Sequence, residues 1–193
     1  MQPMTRDEIR PKEEYERARA DFRRKVMRIK DRRRVLVGQH CSVHFESRET
    51  LLYQVQEMLR AEDSWQRPGA VEEELEAYNP LVPGPGELSA TIMFEYETEE
   101  ERAEHLPRFV GIDRHVWLRI GDTEPLLAEF DAGQIDEHKV SSVQYIKWKL
   151  DEERRELLKT EGTVVRILID HPHYEAQAVL SEQTRDEIKR DPD

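Results

Sequence analysis

The apolar positions change period several times along this chain, and each change marks an element. Between Pro11 and Arg33, Tyr15, Ala18, Phe22, Val26 and Ile29 recur every three or four residues, the period of an amphipathic helix. Pro11 sits at its start, Glu13 and Glu14 oppose the positive end of its dipole, and Arg32, Arg33 and Arg34 suit the other end. "VLVGQHCSVHF" then reads as two short strands around Gly38, with Val35, Val37, Cys41, Val43 and Phe45 facing inward. In "FESRETLLYQVQEMLR", residues 45 to 60, a strand ends in a polar link that starts a helix. Ser47 is its cap, Glu49 lies in its first turn, and Leu51, Leu52, Val55, Met58 and Leu59 form its apolar stripe.

"QRPG" breaks the chain at 66 to 69, a short acidic helix runs from Ala70 to about Tyr78, and "NPLVPGPGE" (79 to 87) is a Pro-stiffened loop. "ELSATIMFEY" has a period of two, with Leu88, Ala90, Ile92, Phe94 and Tyr96 on one side. A charged helix near 98 to 106 ends before Pro107. "HVWLRIG", "PLLAEFD", "SSVQYIKWKL", "GTVVRILID" and "YEAQAVL" follow as strands, interrupted by a helix from about Asp151 to Thr160, and a last helix ends the chain. Strands joined mostly by short turns predict an α+β fold, a mostly antiparallel sheet packed by several helices. The length suits one domain over 1–193, read as a basic N-terminal helical arm (1–34) on an acidic body (35–193).

Charge sharpens that division. Residues 1 to 40 carry 13 Lys or Arg against 7 Asp or Glu, whereas residues 41 to 193 carry 17 against 35. The acidic body repels phosphate backbones, so only "RRKVMRIKDRRR" (23 to 34) could attract nucleic acid, and it has no aromatic residue for base stacking. Docking of this arm on an acidic surface, in the same chain or in a second copy, is the stronger expectation, and a homodimer follows naturally from it. The mean hydropathy of −0.86 is low, yet the apolar residues arrive in ordered alternations, so the chain should fold. No apolar run approaches the roughly 18 residues of a membrane span, so no membrane role is expected. A lone Cys41 excludes an internal disulfide and suits a reducing cytoplasm.

The chain has no GxxxxGK[ST], GxGxxG, GxSxG, HExxH or CxxC, and no histidine has Glu three residues earlier, as helical di-iron sites require. An enzyme is therefore not the leading expectation, and no cofactor or metal is expected. His40 and His44 would lie roughly 13 Å apart along a strand, too far for one ion. His44 with Glu46, and "DHPH" with Asp170, His171 and His173, read as ordinary polar groups before ligands. His115 and Trp117 share the non-core side of their strand, where cover by the N-terminal helix is the simplest expectation.

The helix at 48 to 60 poses the chemical question. Opposite its stripe lie Tyr53, Glu57 and Arg60, flanked by Gln54 and Gln56, where a merely solvated face would use Lys and Glu. Either a buried polar network or a contact site would explain them. Glu57 can reach Arg60, and Glu46, Arg48, Gln54, Gln56, Glu57, Arg60 and Glu87 are the binding candidates. A Glu/Arg cluster beside the 79–87 loop could serve a small ligand or an acid–base reaction if its members converge. Arg60 is expected to brace the fold and Gln56 to be spare for binding.

"EYERARADFRRKVMRIKDRRRV", "FESRETLLYQVQEMLRAE", "ELEAYNPLVPGPGELSATIMFEY", "GIDRHVWLRIG" and "SSVQYIKWKL" together resemble the bacterial family called domain of unknown function 3501. The resemblance covers almost the whole chain. It maps the family pattern onto Glu46, Arg48, Gln54, Gln56, Glu57, Arg60, Asn79, Glu87, Glu95 and Trp117, with His40 and His173 as departures. It also implies a rubrerythrin-like or iron-sulfur protein as a partner. The resulting expectation is a cytoplasmic, non-enzymatic accessory or interaction protein of a redox or oxidative-stress system.

Overall fold

A computed structural model describes residues 1–134 and 140–193. Its longest helix, α1 (Lys12–Arg33), begins after Pro11 and leads directly into β1 (Arg34–Leu36). A turn at Gly38 returns the chain as β2 (Cys41–Phe45), and Ser47, accepting from the Thr50 amide, caps α2 (Arg48–Ala61). The turn needs glycine: φ is +78°, and a Cβ there would sit 2.7 Å from the Tyr174 hydroxyl. After α3 (Ala70–Tyr78) and the Pro-rich loop come β3 (Glu87–Phe94) and α4 (Glu99–His105). The remaining elements are β4 (Val116–Ile120), β5 (Leu126–Leu127), β6 (Glu129–Phe130), β7 (Val143–Lys149), α5 (Glu152–Lys159), β8 (Val165–His171), β9 (Tyr174–Val179) and α6 (Glu182–Ile188).

The architecture is α+β, as the periodicity predicts, but the antiparallel strands divide into two sheets. One has the order β1-β2-β3-β7-β6 and the other β5-β4-β8-β9. Their inner faces meet in one apolar cluster. Val43, Phe45, Leu88, Ala90, Ile92 and Trp148 from the first sheet share it with Val116, Leu118, Val165, Ile167 and Ile169 from the second. The strict alternation of β4 and β8, buried at every second residue, follows from having a neighbouring sheet on one side only.

A second core lies in the helical layer. Met4 and Ile9 of the N-terminal segment pack with Leu51, Val55 and Leu59 of α2, Val71 and Leu75 of α3, and Leu81 and Val82 of the loop. The segment expected as a basic arm is therefore built into the fold. Its helix α1 packs on α2, β2 and α6, burying Tyr15, Val26, Ile29 and Arg33. Its cations meet carboxylates of their own chain: Arg19 with Glu57, Lys25 with Glu49, Arg32 with Glu187, and Arg34 with Glu95.

Arg33 closes the structure. Only 5% exposed, it donates both terminal nitrogens to the equally buried Asp191 at 2.6 and 3.0 Å, and also reaches the carbonyls of Glu187 and Glu46. One side chain thus joins the end of α1, the entry to α2 and the C-terminal tail, while the neighbouring Pro192 carbonyl accepts from the Gly86 amide at 2.7 Å. Burial pushes the Asp191 carboxyl up despite the facing guanidinium, so the pair fixes geometry more than it adds stability. Asp191→Ala should cost about 3 to 5 kcal/mol by stranding Arg33, whereas Arg33→Met with Asp191→Leu should recover most of that loss in denaturant titrations.

Candidate functional site

The polar side of α2 is held between α1, the N-terminal segment and the first sheet, and each candidate side chain has its own partner. Gln56 is 1% exposed, and its carboxamide spans the peptide of Arg10, accepting from the amide at 2.9 Å and donating to the carbonyl at 3.3 Å. Trp65 Nε1 donates to the same carbonyl at 3.1 Å. Asn79 does the same for Met4, accepting from its amide at 2.7 Å and donating to its carbonyl at 3.0 Å. Arg48 donates to the carbonyls of Gln2 and Pro3 and pairs with Glu8. These side chains supply the partners that a neighbouring strand would otherwise give to residues 1–11.

Glu57 faces α1. Arg19 clamps it through two nitrogens at 2.8 and 2.7 Å, and the Tyr15 hydroxyl donates to it at 2.6 Å. Arg19, then Tyr15 and Tyr53, outweigh partial burial and hold its carboxyl down at about 2. Burial and the Glu57 charge together raise the Tyr15 phenol far above its ordinary value, so this hydroxyl stays a donor throughout the accessible pH range. Phe22 stands edge-on to both Tyr15 and Tyr53, which fixes the depth of the network between the helices. The expected pairing of Glu57 with Arg60 is replaced: Arg60 Nε donates to Glu16 of α1 at 2.8 Å, with both side chains 40% exposed.

The remaining candidates go elsewhere. Gln54 lies toward the Tyr78 hydroxyl, whose pKa is raised chiefly by burial. Glu46 accepts from Thr50 at 2.5 Å and from Thr91 at 2.7 Å, which ties the start of α2 to β3. Burial alone would raise the Glu87 carboxyl, but Lys147 at 2.6 Å and the Gly84 amide at 2.9 Å bring it below the usual range. The seven candidates thus fall into separate local contacts. Among the described residues, no hydrogen bond or ion pair joins Glu46, Arg48, Glu57, Arg60 and Glu87 to one another.

Two arrangements escaped the sequence reading. On the outer face of the first sheet, Arg34 pairs with Glu95, which receives the Ser42 hydroxyl at 2.5 Å, and Ser42 lies 2.9 Å from His44 Nε2. With its proton given to Glu95, Ser42 accepts from His44 Nε2–H, and burial followed by Arg34 pushes the imidazole below its ordinary value. Alternation along β2 placed Ser42 and His44 on one face, but the carboxylate that accepts from Ser42 comes from a residue 53 positions away. In the second sheet, Asp170 accepts from Trp117 Nε1 and contacts His115 Nδ1, both at 3.0 Å. The expected cover of Trp117 by α1 is incorrect, because α1 lies against α2, β2 and α6 and β4 belongs to the other sheet.

His171 spends both ring nitrogens, one on the Val110 carbonyl and one on the His173 amide, each at 3.2 Å. His40 stacks on Tyr96 with ring centres 4.7 Å apart. Among the described residues, no three His, Cys, Asp or Glu are gathered to hold a metal ion.

Fold and site define an α+β protein in which two antiparallel sheets carry a helical layer strapped by its own N-terminal segment. The chain belongs to the family described as protein of unknown function DUF3501, which matches residues 3–191. It is similar to a solved structure titled as a novel protein of unknown function from Burkholderia pseudomallei K96243. The identity is 34%, all of both chains is covered, and the TM-score is 0.92. No curated protein matches.

The expected weights of Gln56 and Arg60 are reversed by this geometry. Gln56→Ala strands a buried peptide and should lower unfolding stability by about 1 to 3 kcal/mol. Arg60→Ala, which removes one exposed pair, should cost no more than about 1 kcal/mol. Glu57 adds a pH signature. Its folded carboxyl lies near 2 against an ordinary 4.5, so its contribution is full above about pH 5 and is lost as pH falls toward 2. The stability gap between wild type and Glu57→Gln should therefore be flat from pH 8 to pH 5 and close below it, as read by urea titrations across pH.

Proposed function

We propose that this is a cytoplasmic, non-enzymatic interaction protein that serves a protein partner in redox or oxidative-stress defence. The observation that supports this reading best is the spending of Glu46, Gln56, Glu57 and Glu87 on internal contacts with separate partners, so that these candidates do not converge on one point for proton transfer. The redox setting rests on the family resemblance. A cytoplasmic setting accords with the buried, unpaired Cys41, whose thiol burial and the Glu95 charge push up to about 12, so it is held protonated. No helix among the described residues is long and apolar enough to cross a membrane.

The contact surface that fits such a partner is the cleft of about 640 Å³ where α1, α2 and the N-terminal segment meet. Phe22 and Leu52 line it, and Lys25, Asp21 and Glu49 stand beside them. The Arg10 guanidinium lies 5.4 Å above the Phe22 ring and has no carboxylate partner among the described residues. Apolar lining with charges of both signs suits a protein surface better than a small anion. Nucleic acid is disfavoured, since Arg24, Lys25, Arg32, Arg33 and Arg34 within residues 23–34 are already paired with carboxylates of the chain.

Tagged protein at native abundance should co-purify with a rubrerythrin-like or iron-sulfur protein, and Arg10→Glu should remove that partner while leaving the thermal melt unchanged. Recovery of no redox protein, or equal recovery with Arg10→Glu, would contradict the reading. DNA and RNA should show no measurable binding even at about 50 mM salt, where phosphate contacts are strongest.

A further inference from the structure

The outer face of the second sheet carries a pattern that folding of one chain does not explain. Arg119 of β4 and Arg166 of β8 are direct cross-strand partners, an arrangement of like charges that destabilises a sheet. In a chain with 42 acidic residues, neither has a carboxylate partner among the described residues, and Arg119 Nε is buried without a hydrogen bond. Beside them on the same face lie Trp117, opposite both Leu127 and Leu168, and Val179, opposite Arg166. Leu127, Val164 and Val179, at 37%, 39% and 58% exposure, are among the most exposed large apolar side chains of the protein.

Charge is distributed along this face with polarity. The arginines stand at one end of the strands, the apolar row of Leu127, Trp117 and Leu168 crosses the middle, and Asp170 opposite Glu175 forms the other end. Arg166 and Asp170 are four residues apart on one strand, about 13 Å, so they do not neutralise each other within the chain. A two-fold axis along the apolar row lays that row on its own copy and brings each arginine end over the partner's acidic end. A uniformly acidic partner would leave Asp170 and Glu175 facing like charge, whereas a second copy matches both ends.

We infer that this face is a self-complementary interface through which two copies of the chain pair sheet to sheet, Arg166 of each meeting Asp170 of the other. This pairing is separate from the α1–α2 cleft and does not depend on any redox partner. It answers the like-charge pair at Arg119 and Arg166 through Arg166, which gains a carboxylate from across the axis.

Sedimentation velocity of the full chain over a concentration series should show a dimer. Arg166→Asp and Asp170→Arg should each weaken it at least tenfold, since each sets like charges opposite one another twice. An equimolar mixture of the two variants should restore the dimer as a heterodimer, because every swapped charge then meets its opposite. Leu127→Lys, at an exposed position outside the ion pairs, should weaken the dimer while leaving the thermal melt of the dilute, monomeric chain unchanged. It serves as the readout if a charge variant fails to fold. A wild-type chain that stays monomeric at millimolar concentration would overturn the inference, as would folded single variants that dimerise like wild type or a mixture that shows no recovery.

Discussion

The helical layer depends on one constraint: residues 1 to 11 cross it without a strand or α-helix of their own, yet Met4 and Ile9 are buried there. Peptide groups drawn in with these side chains lose water and must find other partners. Gln56 and Asn79 meet that need with the same device, a carboxamide that offers one acceptor and one donor in the spacing of a peptide edge. Glu or Lys at either position would supply only one half. This explains why amides appear on α2 where the rest of the chain uses charge.

The same logic extends outward from α2. Once the segment is fixed, Pro11 starts α1 at a set angle, and Tyr15, Arg19 and Glu57 lock the first half of that helix to α2. At its far end Arg33 meets Asp191 and the Glu46 carbonyl, so the N-terminal and C-terminal segments are joined through one buried guanidinium. A buried pair of this kind costs desolvation, and its value lies in admitting one arrangement of the three segments. The sheets below can then be held by ordinary alternating apolar burial.

Much of this was legible in the residues. The helix from Pro11 to Arg33, the Ser47 cap and the inward set Val35, Val37, Cys41, Val43 and Phe45 all follow from period and local chemistry and appear as read, while the strand read over 87 to 96 ends at Phe94. Division of the strands into two sheets was not legible, because alternation states which side is buried and not which sheet covers it. The partners of Gln56, Arg60 and Trp117 were missed for a related reason. They lie 44 to 53 residues away in sequence, and a helix or strand period carries no information over that distance. Glu57 and Arg60, three apart, were the nearest local choice, but α1 offered each a better partner.

Amide hydrogen exchange at Arg10 and Met4 tests the central claim most directly, since both protons are held by side chains rather than by secondary structure. Both should be protected in the wild type, and Gln56→Ala should release Arg10 to near open exchange while Met4, held by Asn79, remains slow. Rapid exchange at Arg10 in the wild type, or unchanged protection in Gln56→Ala, would contradict the account.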